Sequence, residues 1–237
     1  MRISLSSEWI KTKRTPYRYL LGTMPIIFNC LIFIYLFISN SKQDTFKVIQ
    51  NYFSILNFLL PFACILLGSL LYQIDKDAGF FKNIIHSKKD TVLILSTKFI
   101  FYYLQITLIY FISVFFSLII IYLNTTLLTQ VVAFEFIKDF IFIWMYSTTM
   151  IVIANIICAL CSFIGAIILG SVISLMTAII GLTGLGDGIW IFFPFTWGFR
   201  FLFLHLNYPL LFLLAVAIPL MLYSIYLGII CYTKFNK

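Results

Sequence analysis

The chain has 237 residues, 62% of them hydrophobic, with only 16 Lys+Arg and 8 Asp+Glu and a net charge of +8. Its 27 Phe, 14 Tyr and 4 Trp, with a mean hydropathy of +1.07, exceed what a core of this size can hide, so lipid must solvate most side chains. A cytosolic enzyme, a secreted disulfide scaffold and a disordered tail are excluded together.

A spanning helix needs about 20 residues nearly free of charge. The windows that meet this run from Tyr19 to Ser41, Val48 to Ile74, Phe99 to Phe134, Phe140 to Gly186 and Phe201 to Thr233. At about 1.5 Å per residue the fourth would reach about 70 Å as one helix, more than twice a hydrocarbon core of about 30 Å. It must fold back and cross twice. The chain therefore reads as an all-α integral membrane protein, a single transmembrane domain over 1–237. Its six transmembrane helices are predicted near 20–39, 52–72, 99–123, 140–160, 164–185 and 208–232.

Ahead of the first span, the segment to Arg18 mixes Ile3, Leu5, Trp9 and Ile10 with Glu8, Lys11, Lys13, Arg14 and Arg18. It suits either a short amphipathic helix on the inner headgroups, anchored by Trp9, or a plain basic flank that sets orientation. The first span is too long for a signal-peptide core and lacks an A-x-A-like site, so it reads as a retained anchor. With both termini cytoplasmic, the inner segments carry Arg2, Lys11, Lys13, Arg14, Arg18, Lys76, Lys82, Lys88, Lys89, Lys98, Lys234 and Lys237. Only Lys42, Lys47, Lys138 and Arg200 remain outside, which is the positive-inside bias of a cell-membrane protein. The positive charge then faces anionic headgroups and gives no sign of a nucleic-acid partner.

Between spans two and three, 75–98 is the largest polar segment. Phe80, Phe81, Ile84 and Ile85 fall on one helical face opposite Asp77, Lys82, Asn83 and His86, and Asp90 is placed to cap the next span. Such a helix can rest on the membrane or seat its aromatic face in a groove of a cytoplasmic partner.

Cys30, Cys64, Cys158, Cys161 and Cys231 all lie in apolar stretches and read as small hydrophobes; Cys158 and Cys161 lack the further ligands of a zinc site. In span five Ser162, Ala166, Gly170, Ser174 and Ala178 recur every fourth residue, a spacing that lets two helices approach closely, within this chain or between two chains. From 187 to 207 the chain is broken by Gly188, Pro194, Gly198, Arg200 and His205, yet rich in Trp190, Phe192, Phe193, Phe195 and Trp197. That combination predicts an outer interfacial or re-entrant element.

No phosphate-binding G-x-x-x-x-G-K-[ST] and no H-E-x-x-H occurs, so no catalytic residue, metal or cofactor is expected in the chain. Gly184 to Asp187 reads G-x-G-D, the string of intramembrane aspartyl proteases. The second aspartate such an enzyme needs is sought among Asp44, Asp75, Asp77, Asp90 and Asp139, all at span ends or in loops. Asn29, Asn57, Gln105 and Asn155 are the amides inside spans, suited to inter-helix hydrogen bonds or to a cargo path. No ionisable side chain falls mid-span, which argues against ion-coupled transport.

At its inner elements the sequence resembles the permease subunits of type-2 ABC exporters. Ser7-Glu8-x-x-Lys11-x-Lys13-Arg14-Thr15, with Pro25 in the first span, looks like their amino-terminal interface helix. Asp75-Lys76-x-x-Gly79-x-x-Lys82-x-Ile84-Ile85, followed by Lys98, looks like their ATPase-coupling segment. The outer Pro194-Phe195-Thr196-Trp197-x-x-Arg200 is similar to the lantibiotic immunity permeases.

The resemblance implies coupling through Asp75, Gly79, Phe80, Phe81, Lys82, Ile84 and Ile85, an interface helix using Glu8, Trp9, Lys11 and Arg14, and a cargo exit near Pro194, Trp197 and Arg200. It also implies separate ABC ATPase subunits that bind ATP and Mg. The further partners it implies are a second permease or a second copy of this chain, membrane lipids, and an antimicrobial peptide, lantibiotic or bacteriocin, as cargo. Export of a drug or lipid is the alternative within the class, and the aspartyl protease is the alternative outside it.

Overall fold

The computed structural model describes residues 2–38, 45–77, 79, 91–124, 130–183, 186–204, 218–219, 221–223 and 225–226. Among these, every regular element is helical: α1 (Arg2–Lys11), α2 (Pro16–Ile38), α3 (Thr45–Asp77), α4 (Thr91–Asn124), α5 (Gln130–Leu160), α6 (Phe163–Leu182) and α7 (Trp197–Leu204), with short 3-10 turns at Trp190–Phe192 and Pro194–Thr196. Among the described residues five helices, α2 to α6, are long and apolar enough to cross a membrane. Apolar runs form such helices, even across the interior prolines Pro25 of α2 and Pro61 of α3, because lipid offers no competing partner for the backbone.

The 47-residue window folds back as charge spacing requires. Helix α5 stops at Leu160, α6 begins at Phe163, and the Ser162 side chain accepts a hydrogen bond from the Gly165 amide at 3.3 Å as its N-cap. The helix bounds differ from the predicted spans. Those spans were cut where charge begins, but α3 runs on past Lys47 and Asp75, α4 starts before Lys98 and α5 before Lys138. A charge ends an apolar window without ending a helix, provided its side chain finds a partner or reaches water. Helix α1 is shorter than the predicted segment: it ends at Lys11, Arg14 takes φ 70°, and Pro16 opens α2.

The sixth span, expected near 208–232, lies mostly outside the described residues. Its described part is helical at 218–219, 221–223 and 225–226; Ile218 packs against the cluster of Tyr146, Trp190, Trp197 and Phe201, and the Tyr223 ring stacks on Phe99 with centroids 4.3 Å apart.

Helix α3 is the axis of the bundle and packs most extensively against α6 and α5. Helix α6 runs antiparallel to it: Cys161 lies beside Lys76, Gly170 on Ile65, and the Ser174 hydroxyl donates to the Phe58 carbonyl at 2.6 Å. A Cβ at Gly170 would come within 3.1 Å of the Ile65 side chain. The small-residue stripe is therefore a contact inside this chain, where close approach supplies the packing that lipid cannot. Its buried members are Ala166, Gly170, Ser174, Thr177 and Gly181, so the seam follows the helix rather than a strict fourth-residue register. Ser162 is exposed and Ala178 only half-buried.

Two of the four span amides join helices. Tyr52 of α3 reaches Asn29 Oδ1 of α2 at 3.1 Å and the Ser113 carbonyl of α4 at 2.6 Å, and the Tyr72 hydroxyl donates to Asn155 Oδ1 of α5 at 2.8 Å. Asn57 approaches the backbone of α7 so closely that a Cβ at Gly198 would lie 2.5 Å from its Oδ1. Gln105 is half-buried on α4.

Candidate functional site

The bundle has two ends. At the basal end lie α1, the C-terminus of α3 and the start of α4; at the far end lie the C-terminus of α6 and the 190–204 segment. Charge is concentrated at the basal end, in a cluster drawn from three helices.

Asp75, on the last turns of α3 and 4% exposed, is ion-paired with Lys98 of α4, which is 0% exposed. The Lys98 ammonium also lies 3.4 Å from the Leu71 carbonyl and 3.9 Å from the Tyr72 ring centroid, so cation–π contact replaces some of its lost water. From α1, Lys11 bonds Glu8 at 2.5 Å and reaches the other Asp75 oxygen at 3.5 Å. Burial pulls the Lys11 ammonium down, but the Glu8 hydrogen bond and the Asp75 charge outweigh it and raise the group above the ordinary lysine value. Two carboxylates and two ammonium groups thus compensate one another where a lone charge would be costly.

Aromatic contacts complete the docking of α1. Trp9 meets Phe101 of α4 edge-on at 6.3 Å, and the Arg18 guanidinium lies 4.5 Å over the Trp9 ring. Lys76, next to Asp75, donates to the carbonyls of Cys158 (3.0 Å) and Cys161 (2.5 Å) at the end of α5. A cation there matches the negative pole of that helix. Gly79 has φ +72°, and its amide bonds the Lys76 carbonyl at 3.0 Å. That left-handed step stops α3, and a glycine takes it without strain.

Of the residues predicted for coupling, the structure brings Asp75 into the cluster and puts Gly79 at the helix stop. Phe80, Phe81, Lys82, Ile84 and Ile85 lie outside the described residues. Glu8 and Lys11 of the interface helix face the cluster, Trp9 packs beside it, and Arg14 sits exposed in the α1–α2 turn. By sequence alone Asp75 and Lys98 read as charges at the two ends of a loop. Their burial was signalled by the apolar residues on both sides of Lys98, from Val92 to Leu95 and again from Phe99.

The far end is built differently. Arg200, expected beside a cargo exit, is 5% exposed. Its guanidinium donates to the carbonyls of Ile180 (2.9 Å) and Thr183 (2.8 Å) at the C-terminus of α6 and to Asp187 at 2.7 Å. It closes the open carbonyls of that helix end. Gly186 makes this possible, since a Cβ there would lie 2.0 Å from the Ile180 oxygen and 2.6 Å from Arg200 Nη2. Trp197 is buried, with its indole N–H donating to the Ile191 carbonyl at 3.1 Å, while Pro194 opens a 3-10 turn beneath it. Asp187, the aspartate of the G-x-G-D string, is bound to Arg200 at the end opposite Asp75.

Comparisons with family models, with curated proteins and with solved structures returned no match, so any function assigned to this membrane-type helical bundle rests on its own residues.

Proposed function

We propose that the chain is the membrane-spanning subunit of an ABC exporter that expels an antimicrobial peptide of the lantibiotic or bacteriocin type from the membrane, giving self-immunity or resistance. Energy comes from separate ATPase subunits that bind ATP and Mg, acting on this chain and on a second permease or a second copy of it. The support is the buried Asp75–Lys98 pair, which pins together the two ends of the polar segment 75–98 that resembles an ATPase-coupling element. With its ends so joined, a push on that segment from the cytoplasm moves α3 and α4 as one body. Because α3 packs on α5 and α6, the motion spreads to the rest of the bundle.

ATP-driven closure of the partner subunits then converts the bundle between two states. Net export requires that these states differ in affinity for the peptide; equal affinity would shift nothing. The docking of α1 through Glu8 and Lys11 adds a second cytoplasmic contact to the same rigid unit.

The test is co-purification of the membrane protein with an ATPase subunit, followed by peptide-stimulated ATP hydrolysis. Phe80→Ala with Phe81→Ala should leave the protein in the membrane and abolish the stimulated rate; an unchanged rate would remove the coupling role. Survival assays against peptide, drug and lipid-active compounds separate peptide export from the other cargoes. The proteolytic alternative predicts an activity lost on Asp187→Asn, and the bonding of Asp187 to Arg200 and of Asp75 to Lys98 favours the permease over it.

A further inference from the structure

Among the described residues, a groove of about 300 Å³ opens between α2, α3 and α4. Its lining is almost wholly aliphatic and aromatic, from Leu20 and Met24 at the basal end to Leu31 and Leu56 at the far end, with Ala63 on its floor. Ile27 (56% exposed) and Leu31 (58%) stand on its open rim, so it faces the hydrocarbon. Arg18 precedes Leu20, the most basal lining residue of α2, by two positions, and its guanidinium lies over the Trp9 ring. On α1 and the following turn, Glu8 is buried and paired with Lys11, whereas Lys13, Arg14 and Arg18 are exposed.

We propose that this groove binds one acyl chain of an anionic glycerophospholipid, with Lys13, Arg14 and Arg18 holding the headgroup at its basal mouth. Dimensions select the occupant. From Leu20 to Leu31 the groove follows α2 for about 16 Å at 1.5 Å per residue, close to the roughly 15 Å of one leaflet. The basic mouth also repels a cationic peptide and attracts an anionic headgroup. The site does not depend on the exporter reading.

Native mass spectrometry of the full-length protein, delipidated in detergent and given equimolar phosphatidylglycerol and phosphatidylcholine, tests this. The wild type should retain one phosphatidylglycerol in preference to phosphatidylcholine. Ala63→Phe, which fills the floor, and Ile27→Trp, which covers the rim, should each cut lipid retention at least tenfold while the protein still elutes monodisperse. Arg14→Gln and Arg18→Gln should each lower the preference for phosphatidylglycerol about fivefold, the worth of one basic residue at an anionic surface, without abolishing retention. Equal retention by both groove variants, or no headgroup preference in the wild type, would overturn the proposal. So would a change of oligomeric state in Ile27→Trp, which would mark the face as a subunit interface.

Discussion

Each end of the bundle holds a buried cation against an aspartate and backbone carbonyls, yet the two do different work. At the basal end Lys98 and Asp75 are both buried, belong to different helices and meet a third helix through Lys11. At the far end Arg200 is buried, but the Asp187 side chain is 71% exposed, and the polar partners of the guanidinium among the described residues lie within 20 residues of it. The first is a tertiary clamp; the second is a helix cap that carries an ion pair at its edge. Burial of the anion makes the difference, since a solvated carboxylate loses little when its partner leaves, and a buried one loses its compensation.

Lys98→Met should therefore be the most damaging change, costing about 3–5 kcal/mol because Asp75 stays buried and keeps, among the described residues, Lys11 alone as an ion-pair partner. Denaturant titration in detergent measures it, and a double variant Lys98→Met with Asp75→Leu should recover most of the loss. Recovery that fails would show that the pair does more than neutralise itself. Arg200→Ala should cost about 1–3 kcal/mol, through the unaccepted carbonyls at the end of α6. Faster hydrogen exchange confined to the last turn of α6 would mark it as a cap. Ser174→Ala removes one inter-helix hydrogen bond and should cost about 0.6 kcal/mol, the usual worth inside membranes.

Asp187→Asn should change stability by less than about 1 kcal/mol and less still in high salt. A loss equal to that of Arg200→Ala would erase the contrast between the ends. Lys11 supplies a pH signature. Its folded value lies above the ordinary one, so its contribution is complete below about pH 10.5 and fades only as pH rises through the higher folded value. Hydrogen exchange over 2–11 should then be flat, from this group, across the neutral range.

In the proposed exporter the two ends would also differ in activity. A peptide-stimulated ATPase should depend on the basal clamp and on Phe80 and Phe81, whereas variants of the far-end cap should act through folding. Assaying Asp187→Asn and Lys98→Met side by side, each normalised to folded protein, separates the two.

Several features were legible in the residues. The spacing of charges required long apolar helices and a fold-back inside 140–186, and the small residues of α6 announced a close helix contact. The two meanings left open for that stripe could be separated only by seeing Gly170 on Ile65 and Ser174 on the Phe58 carbonyl. Helix ends were misread at Lys47, Asp75, Lys98 and Lys138, because composition records a charge but not its partner.

The sequence by itself determined the solvent: with so few charges and such long runs between them, the chain has to bury its backbone bonds in helices, whatever their arrangement. Only the tertiary structure decided which charges are exposed and which are compensated. Whether Asp75 faces water depends on Lys98, 23 positions along the chain, and Lys11, 64 positions back, reaching the same point in space. Local periodicity carries no record of that meeting, because the energy of an ion pair belongs to two distant positions at once.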